Sequence, residues 1–158
     1  MNDENLRKLD YVILFAGFSP TANELVHIES EKFRSKGVRT VILYPLKNPS
    51  DSFPDANIVQ ADEVTEQNFY SCDIIDCSSS WNNSRSYERS NLAKKIDMTF
   101  SGRKYWKLVK KLLGNFPASF QPSCIIFSDH DSLTPAWHLS RIWRESAVHK
   151  VGEIPHES

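Results

Sequence analysis

The chain has 158 residues, enough for one domain whose core needs no disulfide or metal staple, and few for two. Its 40% hydrophobic and 25% charged residues are ordinary globular usage, which excludes a largely disordered chain. A formal net charge of -1 supplies no overall field toward nucleic acid or anionic lipid, so no nucleic-acid partner is expected.

The N-terminal MNDENLRKLD lacks the apolar centre of a signal peptide. Residues Tyr11–Ala16 (YVILFA) are a continuous apolar run rich in β-formers, the signature of a strand buried on both faces. The turn Gly17-Phe18-Ser19-Pro20 follows. A helix is predicted from Thr21 to Lys36, with Thr21 as cap and Glu24 completing a capping box. Its inward face should hold Leu25, Ile28 and Phe33, and Gly37 should close it in a left-handed conformation. Arg39–Tyr44 is the next strand, stopped by Pro45. Strand, turn, capped helix, strand is a βαβ unit.

Lys47 to Asp55 reads as loop, Ala56–Gln60 as a short strand and Cys72–Cys77 as a further strand. The serine-rich stretch from Ser78 to Arg89 reads as a surface loop, entering a helix from about Tyr87 to Ile96. A second long helix, Gly102 to Leu113, puts Tyr105, Leu108, Val109 and Leu112 on one face. Lys107, Lys110 and Lys111 lie on its wet face. Ser123–Ser128 is a strong strand. A helix capped by Ser132 or Thr134 then runs to about Ser146 with Trp137, Leu139 and Ile142 inward, and His149–Ile154 is the last strand.

This alternation predicts an α/β, Rossmann-like domain spanning 1–158: a mostly parallel, doubly wound sheet with helices on both faces. Its central strands are expected at Tyr11–Ala16, Arg39–Tyr44, Ser123–Ser128 and His149–Ile154. Cys72, Cys77 and Cys124 are odd in number and form neither C-x-x-C nor a zinc spacing with His. They read as reduced thiols of a cytoplasmic chain. No apolar run approaches the roughly 20 residues that cross a bilayer, which leaves peripheral membrane association open.

Ligands of open parallel sheets bind beyond the carboxyl ends of the strands, so three loops are candidate site elements. Gly17, Phe18 and Ser19 present small residues and backbone N–H groups at a helix start, suited to an anion or a sugar hydroxyl. They carry neither G-x-G-x-x-G nor a Walker pattern. Asp129, His130 and Asp131 place two carboxylates around an imidazole directly after a buried strand; the plain alternative is a capping residue beside a solvated His. His156 and Glu157, after the final strand, suit a general base and the group that orients it. Trp81, in a polar loop, is a candidate stacking residue. No cofactor and no metal site are indicated.

The segment from Phe120 through Ser128-Asp129-His130-Asp131, followed by a helix and Val151-Gly152-Glu153-Ile154-Pro155-His156, resembles the N-terminal half of two-domain glycosyltransferases of the capsule and teichoic-acid type. Gly17 after the first strand also fits that pattern. The resemblance covers about the last forty residues and the first strand with its loop. Ser123 stands where the pattern often has Asp, and Glu157 where glycine is usual.

The resemblance implies an acceptor-binding domain, which helps transfer a sugar from a nucleotide-activated donor to the hydroxyl of a sugar or polyol. His156 would be the base, and Asp129 and His130 acceptor contacts. The donor would sit in a nucleotide-sugar-binding partner domain or subunit, making this the N-terminal half of a larger or split enzyme. Two other readings stand beside it: a small self-contained enzyme acting on a nucleoside or nucleotide, and a non-catalytic Rossmann-like binding module.

Overall fold

The computed structural model describes residues 11–46, 49–78 and 101–153. Its strands are β1 (Tyr11–Phe15), β2 (Arg39–Tyr44), β3 (Ile58–Gln60), β4 (Ile74–Asp76), β5 (Cys124–Phe127) and β6 (Ala147–Lys150). They form one sheet in the order β3-β4-β2-β1-β5-β6, and every pairing in it is parallel. Without the short edge strand β3, the order is that of a doubly wound sheet whose direction of travel reverses at β1. The expected α/β Rossmann-like architecture is therefore present.

Centrality explains the composition of β1. It pairs with β2 on one side and β5 on the other, Ile13 lying opposite both Val41 and Ile125. Both of its faces are covered, and Tyr11 through Phe15 are all buried. Each such aliphatic or aromatic side chain contributes about 1.5–3 kcal/mol by leaving water. Ile13 and Phe15 face the layer formed by helices α4 (Ser101–Leu113) and α5 (His130–Ile142), through Tyr105, Val109, Leu112, Ala136 and Leu139. Val12 and Leu14 face the opposite layer and meet Val26 of helix α1 (Pro20–Ser35). Helices thus cover both faces. Two single-turn helices, α2 (Pro49–Ser52) and α3 (Glu66–Phe69), lie in connections.

Several expectations are corrected. The cap of α1 is Ser19, whose Oγ accepts from the Ala22 N–H, and Pro20 rather than Thr21 opens the helix. Its buried face is Ala22, Asn23, Val26, Glu29 and Ser30, while Leu25 and Ile28 are exposed. The cap of α5 is Asp129, and neither Ser132 nor Thr134; Trp137 and Ile142 point outward and Leu139 inward. The helix ends at Ile142. The last strand is β6, four residues earlier than expected at its end and at an edge of the sheet, whereas β4 is interior. Gly37 does adopt the left-handed conformation, at φ 78°. The three cysteines are free thiols. The helix expected near Tyr87 to Ile96 and the loop carrying Trp81 lie outside the described residues.

Candidate functional site

Because all strands are parallel, their carboxyl ends share one edge, and the chain leaves β1 and β5 toward opposite faces. That divergence opens a crevice between the two strand ends. Loops 17–19 and 128–131 both border it. The first is shaped by a side chain that the sequence reading passed over. Asn23, buried in the first turns of α1, accepts the Gly17 N–H through Oδ1 at 2.8 Å and donates from Nδ2 to the Gly17 carbonyl at 3.0 Å. Both polar groups of one peptide residue are thereby satisfied in a region that excludes water.

The second loop is tied to the first by Asp129. Its Oδ1 accepts the Ser132 N–H at 2.9 Å and so caps α5, and its Oδ2 crosses to accept the Phe18 N–H at 2.8 Å. The Ser132 hydroxyl accepts from the N–H groups of Ser128 and Asp129 at 2.9 and 3.0 Å. Gly17 lies so close to the Asp129 carboxylate that a Cβ there would overlap it. A third tie comes from α4. The buried Tyr105 hydroxyl reaches the carbonyls of Ala16 and Leu43, at 2.7 and 3.0 Å, and so joins the ends of β1 and β2. Burial, with the nearby Cys77 and Asp129, pushes the Tyr105 pKa well up, so this phenol is a fixed donor and not an acid.

These bonds define what the edge can do. Of the N–H groups at the head of α1, those of Gly17, Phe18, Ala22 and Asn23 are used internally, and a carboxylate stands where a phosphate would need to be. The loop is therefore not a phosphate cradle. Asp129, with both oxygens held by backbone donors, clips two loops together and has no geometry for proton transfer. His130 is exposed on the first turn of α5, next to the half-buried Asp131, while Phe18, also half-buried, packs against the core that holds Tyr105. A further carboxylate, Asp76, ends β4 on the same edge; it accepts from Ser78 N–H at 2.9 Å and from Gln60 Nε2 at 3.1 Å. In the sequence it is marked only by its place near the end of the Cys72–Cys77 strand. His156 and Glu157 lie outside the described residues.

A cleft of about 310 Å³ lies at the opposite, amino edge of the sheet, between Tyr11, Arg34, Arg39, Tyr70 and Asp73. Two of its three charges pair with each other, Arg34 with Asp73 at 3.1 Å. Beside it Tyr11, Phe69, Tyr70 and Phe120 pack ring against ring, with centroids 4.7 to 5.8 Å apart for the closer pairs. That edge reads as core closure, so the candidate site is the carboxyl edge. Among the described residues no group of three or more His, Cys, Asp or Glu converges as a metal site would require. Comparison with family models, with curated proteins and with solved structures finds no match for this chain.

Proposed function

We propose that this chain is the acceptor-binding domain of a sugar transferase, with the nucleotide-activated donor held by a partner domain or subunit. The observation that carries the reading is the occupation of the Gly17 and Phe18 N–H groups by Asn23 and Asp129. A pre-filled, carboxylate-bearing strand end repels a nucleotide phosphate. It is compatible with an uncharged polyol, whose hydroxyls donate to Asp131 and accept from or donate to His130. The same observation weighs against a self-contained nucleotide enzyme. In this reading His156 removes the acceptor proton as that oxygen attacks the anomeric carbon, and the nucleotide leaves with the electron pair of the broken bond.

The test separates acceptor from donor. By saturation-transfer NMR the full chain should show weak contact with neutral mono- and disaccharides, lost in His130→Ala/Asp131→Ala. It should show no calorimetric binding of UDP-glucose and no turnover alone. Tight UDP-glucose binding, or transfer catalysed by this chain without a partner, would overturn the proposal.

A further inference from the structure

Helix α4, SGRKYWKLVKKLL, carries Arg103, Lys104, Lys107, Lys110 and Lys111 and no acidic residue. Helix α5 adds Arg141 against Asp131. The two helices run side by side in the same direction. Gly102 abuts Thr134, the Trp106 ring stacks on His138 at 4.3 Å and 10°, and Lys110 and Arg141 both lie near that imidazole. Partial burial and, after it, those two cations hold the His138 pKa below its usual value. Lys107, Lys110, Lys111 and Arg141 make no ion pair with the described residues. With Arg103 and Lys104 the two helices carry six basic groups, in a chain whose net charge is -1.

Apolar groups stand in the same layer. Trp137 is 50% exposed with the Arg141 guanidinium 5.0 Å over its ring, and Leu133 lies one turn before it at 36%. These side chains are exposed because Ser132, Pro135, Ala136 and Leu139 take the inward positions of α5.

We propose that the outer face of α4 and α5 docks on an anionic lipid bilayer, with lysines and arginines at the headgroup phosphates and Trp137 and Leu133 entering the interface. Charge alone would equally suit an acidic protein or a nucleic acid. The apolar residues decide between them. Leu adds nothing to base stacking or ion pairing, whereas Trp beside Leu and Lys is the chemistry of the membrane interface. The surface is the side of two parallel helices and not a groove that could track a strand. Only two apolar side chains enter, because the other face of α4 is committed to the core, so docking is shallow and reversible. Among the described residues no helix is long and apolar enough to cross a membrane. This inference is independent of the sugar-transfer reading, and its test uses no sugar.

The full chain is sedimented with phosphatidylcholine vesicles, with and without about 30% phosphatidylglycerol, in low salt and in about 0.5 M salt. Binding is expected only to the anionic vesicles, falling steeply with salt. Lys107→Glu/Lys110→Glu should weaken it by more than tenfold, since each cation near such a surface is worth roughly fivefold. Brominated lipid should quench a component of the tryptophan emission that Trp137→Phe removes. Circular dichroism checks that both variants fold. Equal binding to neutral vesicles, full binding by the charge-reversed variant, no binding at all, or quenching unchanged in Trp137→Phe would each overturn the proposal. So would a dimer in which this face is buried.

Discussion

Asn23 holds Gly17 by both its donor and its acceptor, and this one side chain sets the shape of the first loop. Truncating it leaves two buried backbone groups unpaired, each at a cost of about 1–3 kcal/mol. Asn23→Ala should therefore lower the urea midpoint clearly; an unchanged midpoint would show that the loop does not depend on this contact. Asp129 is a sharper case, because its two oxygens accept two N–H groups from different loops. An amide can accept on only one side and turns a donor toward the other N–H. Asp129→Asn should then cost about 1–3 kcal/mol even though the side chain keeps its shape. If equilibrium unfolding shows no loss, the carboxylate is not the clip described. A Cβ at Gly17 meets the same carboxylate, so Gly17→Ala should report on the same contact.

The helices show why some faces were legible and others not. In α4 the inward side, Tyr105, Val109 and Leu112, follows the apolar period, and the sequence announces it. In α1 the phase is set by Asn23, which must face the end of β1. Val26 and Ser30, three and seven positions on, then turn inward and rotate Leu25 and Ile28 into solvent. A polar lock beat the apolar period there, and nothing in a hydropathy pattern marks it. The Asp129–Ser132 reciprocal cap does the same for α5 and leaves Trp137 outside. The long strands were legible because a strand buried on both faces is read by its content, not its phase. Strands β3 and β4 lie within the expected Ala56–Gln60 and Cys72–Cys77 but are shorter, and the single-turn helices are too short to carry a period. Of the loops that the strand-end rule picks, those at 17–19 and 128–131 meet through Phe18 and Asp129, but the rule says nothing of the bonds that occupy their N–H groups. The contact between α4 and α5 offers a direct test of packing. A Cβ on Gly102 would stand 2.6 Å from Thr134 Oγ1. Alanine improves intrinsic helix propensity by up to about 1 kcal/mol. Overpacking should nevertheless win, with Gly102→Ala destabilising by about 1–2 kcal/mol. Adding Thr134→Ala should recover most of the loss, and a Gly102→Ala that is more stable by itself would mean the helices are not so close.

At the scale of the molecule, groups that keep their protons in the fold all act in one direction. Burial raises the Cys72 and Cys124 thiols from 9.0 to about 11. It raises Cys77 and the phenols of Tyr11 and Tyr105 further. These residues come from β1, the loop into β4, the end of β4, α4 and β5, so the effect belongs to the core as a whole. Below about pH 9 the folded and unfolded chains both hold these protons, and the groups contribute no pH dependence. Above it the unfolded chain releases protons that the folded chain retains, so the unfolded state binds fewer and stability must fall as pH rises. The loss should set in near pH 9 and continue through pH 11, where Cys72 and Cys124 themselves begin to ionise in place. Tm measured under reducing conditions from pH 7 to 11 should be nearly level at first and then decline. Cys72→Ser/Cys124→Ser should flatten the first part of that decline, because a hydroxyl does not titrate there. A Tm that holds steady to pH 11 would mean the thiols and phenols are far more solvated than a sheet sealed on both faces allows.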